Sequence, residues 1–324
     1  MTVAVTGASG HLGGNLVRAL LAGGRRVRAL VHREDAGALK GLPIEQAAGD
    51  VLDPRSLRAA FDGAEVVYHL AARISIVSGD AEEVFRVNVE GPRNVVAACL
   101  DAGVRRLVHF SSIHAVSHLP VDGPVDELRA LTDHPDAPPY DRSKAAGQRE
   151  ILAGVARGLD AVIVNPTGVL GPFDFQPSRM GRLLLNIRSG RLPVIVEGGF
   201  DWVDVRDVVA GALAAERRGR TGEHYLLAGH WQSIAQVGAL VAHVASVPAP
   251  RFVCPMWAAR AVAPLAELAS QMLGQDPLLS SIGLHAMRNH RYVTREKAER
   301  ELGYSARPTL ETIADTLRWF EERT

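Results

Sequence analysis

The 324-residue chain carries 36 acidic and 36 basic residues, so it offers no basic field for nucleic acid and no polyanionic tail. At this length it can bury a large core and set two lobes around one site. Its two cysteines, Cys99 and Cys254, stand far apart, which suits a reducing compartment and excludes a disulfide frame or a cysteine metal site.

The chain opens on an apolar strand, Thr2-Val3-Ala4-Val5-Thr6, with no basic leader or cleavage site, so a cytoplasmic location is expected. The most apolar long segment, 252–274, holds Pro255, Arg260, Pro264 and Glu267, and no membrane span is expected there.

The first strand runs into Gly7-Ala8-Ser9-Gly10-His11-Leu12-Gly13 and then a helix reaching about Leu21. Glycines so placed allow a tight turn, close backbone approach to a pyrophosphate and close helix–strand packing, while the first helical N–H groups face the phosphates. The spacing is Gly-x-x-Gly-x-x-Gly rather than Gly-x-Gly-x-x-Gly, but the setting between strand and helix is the one a dinucleotide site requires.

The strand at 26–31 ends in His32-Arg33. About twenty residues past the last glycine, an NAD site places an acidic residue on the ribose. Arg33 stands there instead, and a cation suits a 2′-phosphate. NADP(H) is therefore the preferred cofactor, and NAD(H) stays possible if Glu34 or Asp35 serves the ribose.

A strand at 44–48 leads to Gly49-Asp50-Val51-Leu52-Asp53, where Asp50 could accept from an adenine amine. A helix follows at 56–61, then a strand at 65–70 ending in His69-Leu70-Ala71-Ala72, whose small residues let a cofactor approach the sheet. His69 itself reads as a core-edge histidine. Residues 81–102 read as one long helix carrying Asn88, and the strand 105–110 delivers Ser111-Ser112 at its carboxyl end. Strands alternating with such helices give βαβ units and a parallel sheet, which binds ligands beyond its carboxyl ends. A hydroxyl there can hydrogen-bond a substrate oxygen as charge develops on it.

After Pro138-Pro139, Tyr140 and Lys144 fall four residues apart and share one helix face. Only Lys40, Lys144 and Lys297 are lysines among the 36 basic residues. A phenol with a pKa of about 10 exchanges protons poorly at neutral pH. A neighbouring ammonium favours the phenolate and should pull that pKa down.

Beyond Gly171-Pro172 the α/β rhythm loosens. A loop at 173–178 is placed along the pocket, followed by an amphipathic helix at 179–190 and strands at 194–196 and 201–203. A helix at 205–216 and a strand at 223–227 return to the main lobe, and Ser233 caps a helix running to Val244. The stretch 251–290 is apolar and helix-rich, and a last amphipathic helix spans 310–322. Trp257, Leu265, Leu268, Met272, Leu273, Leu278, Leu279, Leu284 and Met287 fit an apolar substrate wall, an ordinary core or a dimer face. A polycyclic or acyl ligand suits such a wall. Arg288 and Arg291 could instead hold a diphosphate.

Several of these motifs recur in one order: Gly7 to Gly13, Gly49-Asp50-Val51, His69 to Ala72, Val87 to Gly91, Phe110-Ser111-Ser112 and Tyr140 to Lys144. Asn165-Pro166-Thr167-Gly168-Val169-Leu170-Gly171-Pro172, Asp201 to Val208 and Glu301 to Tyr304 continue the series. In this the chain resembles the extended short-chain dehydrogenase/reductase family, within the NAD-dependent epimerase/dehydratase superfamily. It is most similar to the dihydroflavonol reductase and 3β-hydroxysteroid dehydrogenase branch.

The resemblance implies an α/β fold, a Rossmann-type doubly wound parallel sheet with a smaller, mostly helical carboxyl-terminal substrate lobe. The sheet domain would take 1–172 with 200–228 returning to it, and the substrate lobe 173–199 and 229–324. Tyr140 would be the general acid of a reduction or base of an oxidation, Lys144 its modulator and a ribose ligand, and Ser112 the holder of the substrate oxygen, with Ser111 one register away. Gly7, Ser9, Gly10, His11, Leu12, Gly13, Arg33, Asp50, Val51, Leu70, Ala71, Ala72, Pro166, Thr167, Gly168 and Val169 would line the cofactor. Asn88 would steady the fold, and His114 would touch substrate or serve the structure. His11 departs from the family, which has an aromatic or aliphatic residue there. The implied activity is NADP(H)-dependent hydride transfer to or from a carbonyl or secondary alcohol of a small apolar molecule, flavonoid-, steroid- or terpenoid-like. The alternative is an NAD-dependent nucleotide-sugar epimerase or dehydratase. No metal is implied, and a homodimer is possible.

Overall fold

The computed structural model describes residues 1–32, 37–74, 80–192, 194–272 and 280–323. Six strands come first: β1 (Thr2–Thr6), β2 (Arg26–Val31), β3 (Glu45–Ala48), β4 (Val66–His69), β5 (Arg106–Phe110) and β6 (Ala161–Pro166). Then follow β7 (Gly168–Leu170), β8 (Val194–Val196), β9 (Gly199–Asp204), β10 (His224–Leu227), β11 (His230–Ser233) and β12 (Phe252–Cys254). The helices of the first half are α1 (His11–Ala22), α2 (Pro54–Phe61), α3 (Ala81–Phe85), α4 (Gly91–Asp101) and α5 (Pro139–Ala156). Those of the second are α6 (Arg179–Arg188), α7 (Val205–Arg218), α8 (Ile234–Ala245), α9 (Met256–Met272), α10 (Ser281–Ala286), α11 (Glu296–Leu302) and α12 (Thr309–Glu321).

Seven strands form one sheet in the order β10-β6-β5-β4-β1-β2-β3, with every pairing parallel. The central strands are apolar on both faces because helices cover both. In β1, Val3 and Val5 pack with Leu16, Val17 and Leu20 of α1 and with Val208 and Ala212 of α7. Ala4, pointing the other way, joins Phe61 of α2, Val95 and Cys99 of α4 and Ile151 of α5. The strand order reverses about β1 and β4, so the doubly wound expectation holds and a crevice opens beyond their carboxyl ends.

The segment 81–102 is not one regular helix. A π-helical turn at Arg86–Glu90 separates α3 from α4. Pro92 lacks an N–H, and its ring would crowd the carbonyl of Asn88 four residues back in a regular helix. The widened turn relieves that clash and presents Asn88 inward. Its amide then clamps the backbone of Arg73, accepting from the N–H at 2.8 Å and donating to the carbonyl at 2.9 Å.

The second lobe holds a three-stranded sheet, β11-β9-β7, and the parallel pair β12-β8. Its core joins Leu184 and Ile187 of α6, Trp202 of β9, Val237 and Val241 of α8, and Ile313 and Leu317 of α12. Thus β9 belongs to the small sheet, whereas α7 and β10 lie on the large one. Ser233 caps α8 in a reciprocal capping box with Gln236. The loop 173–178 does not line the pocket. Phe173 and Phe175 turn instead to Trp319 and the Arg18 guanidinium. No helix among the described residues is long and apolar enough to cross a membrane.

Candidate active site

Tyr140 and Lys144 stand one turn apart at the start of α5, whose first helical position is Pro139, pre-set for a helix start. The face they share turns towards the end of β5. Lys144 is buried and donates to the carbonyl of Phe110 at 2.9 Å. Ser112, two residues further, lies close enough to the phenol of Tyr140 to lower its proton affinity. Asn165 of β6 donates to the Ser112 carbonyl at 2.8 Å and to Gln148 at 3.0 Å, which fixes this corner from beneath. Ser143 links Tyr140 to Asn88, donating to the Tyr140 carbonyl at 2.7 Å and accepting from the Asn88 amide at 3.0 Å. The structure therefore brings Ser112 and Tyr140 together, while the Ser111 hydroxyl is buried without a partner.

The proton affinities differ from the expectation. Burial raises the phenol of Tyr140 to about 12, with Ser112 opposing and Asp141 adding to the rise. Burial likewise lowers Lys144 to about 8. With its ammonium committed to a backbone carbonyl, Lys144 does not pull the phenol down in the protein alone. Removal from water is the larger effect on both groups.

At the ends of β1 and β4 the glycine loop meets a tight floor. Gly7 has φ +68°, and a Cβ there would sit 2.6 Å from the nitrogen of Ala71. A Cβ on Gly13 would fall 2.1 Å from the Gly7 carbonyl oxygen. At Gly10 the nearest atom would be 3.4 Å away, so this glycine faces open space. Gly10 is also the N-cap of α1, which has no side-chain cap, and Ser9 beside it is exposed. An uncapped helix end beneath an open glycine fits an anion such as a pyrophosphate. Leu12 packs against the sheet core, and His11 ties the loop to the other lobe through the Pro172 carbonyl at 3.0 Å.

Asp50 accepts from the N–H of Leu52 at 2.9 Å and lies 3.1 Å from His32, at the carboxyl ends of β2 and β3. Val51 is buried against Gly91, and Ala71 donates to Thr6 at 3.2 Å, next to Leu70 and Ala72. Arg33, with Glu34 and Asp35, lies outside the described residues. Past β6, Pro166 ends the strand, and Thr167 donates to Asp201 at 2.6 Å. A Cβ on Gly168 would meet the Asp201 carbonyl at 2.9 Å, just before Val169. His69 is core, as expected: it is buried, contacts Thr6 at 2.7 Å and is held neutral by desolvation, at about 3.

Tyr140 opens onto a cavity of about 610 Å³ between the lobes. Its walls are mainly aliphatic and aromatic: Met180 and Leu183 of α6, Val194 to Val196, Phe200, Ile234, Leu284 and Met287. Of the expected wall, Leu284 and Met287 lie on it. Trp257, Leu265 and Leu268 face outward from α9, being 75%, 69% and 56% exposed. Leu273, Leu278 and Leu279 lie outside the described residues, as does the side chain of Met272. Arg288 and Arg291 do not line the cavity, and the Arg291 guanidinium lies 4.6 Å over the Trp231 ring. The cavity's arginines are Arg179 and Arg182 of α6.

The sequence reading passed over Asp141. It is buried next to Tyr140 and lies 3.1 Å from Nδ1 of His114, and both residues line the cavity. The signal was its place beside the tyrosine, with a histidine two residues past Ser112. Among the described residues no cluster of histidine, cysteine or carboxylates could hold a metal ion.

With this geometry in place, residues 3–228 match the model of the family described as the NAD dependent epimerase/dehydratase family. The "Sterol demethylase protein B" of Methylococcus capsulatus is 40% identical over 100% of this chain and 99% of its own. The "4-hydroxy-2-methyl-3-oxo-4-farnesyl-3,4-dihydroquinoline-1-oxide ketoreductase" of Stigmatella aurantiaca is 33% identical over 98% and 96%. The crystal structure of gox2253 superposes with a TM-score of 0.87 at 31% identity, covering 99% of this chain and 98% of that one.

Proposed function

The chain belongs to the NAD dependent epimerase/dehydratase family and is an NAD(P)-dependent enzyme, and from that premise we propose that it is an NADP(H)-dependent oxidoreductase acting on an apolar ketone or secondary alcohol. The observation that carries this reading is the Tyr140 phenol on the wall of an apolar cavity of about 610 Å³, one helical turn from the buried Lys144. The ketoreductase relative, named for a farnesyl-bearing substrate, is consistent with such a cavity. A nucleotide-sugar would be served better by clustered charges and donors than by these walls.

The Gly7-to-Gly13 loop and the α1 terminus would hold the pyrophosphate, Ala71 and Ala72 would border the adenosine side, and Pro166 to Val169 the nicotinamide. When bound, the nicotinamide supplies or accepts the hydride. Ser112 holds the substrate oxygen against the phenol of Tyr140. Tyr140 gives its proton to that oxygen in reduction and removes it in oxidation. At about 12 the phenol keeps its proton at neutral pH, the form a reduction needs, though it is a weaker acid than a free phenol. Lys144 adds a cation beneath the site, and Asn88, through Ser143 and the Arg73 backbone, holds the tyrosine's turn in place. Arg33 would select the 2′-phosphate of NADP(H).

Thermal-shift titration with NADP⁺ and NAD⁺ tests the cofactor half of this reading, because stabilisation tracks affinity. NADP⁺ should stabilise more at equal concentration, and Arg33→Glu should reverse the order. A protein that purifies with NAD and does not exchange it for NADPH would support the epimerase or dehydratase reading instead.

A further inference from the structure

On the proposed-function reading, we infer that His114, held by Asp141, is a second donor to the substrate, so that the pocket selects apolar ketones bearing a neutral oxygen on a carbon adjacent to, or one removed from, the carbonyl. His114 and Tyr140 both line the cavity, with ring centroids 5.6 Å apart and the rings edge-on. Nδ1 of His114 lies 3.1 Å from the Asp141 carboxylate, which leaves Nε2 as the nitrogen available to a substrate. Asp141 is 4% exposed, and an imidazolium beside it balances the buried charge.

Further groups surround the pair. His290 stands 5.6 Å from His114 and bonds the Val116 carbonyl, while His118 and His285 meet edge-on at 5.1 Å one step further out. Burial lowers all three, so they stay neutral, and Asp141 raises His114 against its own desolvation. Within this cluster His114 is the histidine whose proton affinity is raised.

The charge balance decides which oxygen is selected. The ion pair is neutral as a whole, so it adds no net positive charge of its own to attract a substrate carboxylate, and the cavity's arginines, Arg179 and Arg182, belong to α6. A hydroxyl or second carbonyl oxygen accepts from the imidazolium without disturbing the pair's balance and gains a charge-assisted hydrogen bond.

The test uses the full-length enzyme with NADPH and three bicyclic ketones: α-tetralone, its α-hydroxy derivative and a tetralone carboxylate. The α-hydroxy ketone should have the highest kcat/KM. His114→Phe should lower kcat/KM for it about 10- to 100-fold more than for α-tetralone, the effect of one lost charge-assisted hydrogen bond. The wild-type preference should fade as pH rises through the raised His114 pKa, and in Asp141→Asn it should fade at lower pH. An unchanged ratio in His114→Phe, or a wild-type preference for the carboxylate, overturns the inference while leaving the ketoreductase reading in place. Wild-type enzyme that leaves NADPH unoxidised with all three ketones overturns both.

Discussion

The glycine loop makes the sharpest separation between folding and cofactor binding, through Gly10→Ala and Gly13→Ala. At Gly13 the new methyl would fall 2.1 Å from the Gly7 carbonyl oxygen, 2.7 Å from Ala8 Cα and 2.9 Å from its carbonyl carbon. All three are backbone atoms, so loop and helix must separate, at a cost of about 1–3 kcal/mol or more. At Gly10 the methyl meets nothing nearer than 3.4 Å, and φ −74°, ψ 170° suits any residue. The poorer N-cap that alanine makes offsets the chain-entropy gain, so the protein alone should change by less than about 1 kcal/mol on Gly10→Ala. The methyl fills the cradle where the pyrophosphate would approach, and at least tenfold weaker binding is expected, about 1.4 kcal/mol. At a cofactor concentration of 100 times the wild-type Kd, ligand stabilisation of about 2.7 kcal/mol should drop by roughly half. Thermal unfolding with and without NADP⁺ reads both quantities. A Gly10→Ala protein stabilised by NADP⁺ as strongly as wild type would refute the placement of the cofactor on this loop.

Tyr140→Phe should keep cofactor affinity, measured by calorimetry, and lose turnover by about two to four orders of magnitude, the range of one lost general acid. Glu216 is 4% exposed and accepts from Tyr68 at 2.6 Å and from Arg25 and Arg105 at 3.2 and 3.3 Å, so Glu216→Ala should destabilise by about 3–5 kcal/mol in urea titration. His69 and His290 are both lowered to about 3 by burial. Below an unfolded pKa of about 6.5 the unfolded chain takes up protons that the folded chain refuses, so stability falls with pH. From pH 6.5 to 5 each should cost about 2 kcal/mol, and an unchanged urea midpoint across that window would contradict their neutral burial.

Much of this was legible in the chain. Val3 and Val5 on one face and Ala4 on the other, followed by the glycine loop, announced a buried parallel strand and its ligand turn, because periodicity and turn chemistry are local. Tyr140 and Lys144 were legible because helical spacing alone puts them on one face. The π turn at Arg86–Glu90 was signalled by Pro92 but depends on how closely α5 approaches, since a Cβ on Gly147 would fall 2.1 Å from the Asn88 carbonyl. The elevated phenol was not legible, because burial is a tertiary property and outweighed the neighbouring charge. The apolar stripe of Trp257, Leu265 and Leu268 had the right spacing for a wall, but spacing does not tell which way a helix faces. The ion pair of His114 and Asp141 spans separate elements, and only the packing of the turn after β5 against α5 makes it visible.

The central claim is that the Tyr140 phenol delivers the proton that accompanies hydride arrival at a ketone in this cavity. Single-turnover oxidation of NADPH by wild type and Tyr140→Phe, both preloaded with cofactor and mixed with an apolar ketone, measures that step directly. Rapid loss of NADPH absorbance in wild type and a rate lower by two or more orders of magnitude in Tyr140→Phe is the expected result. Equal rates in the two proteins would contradict it.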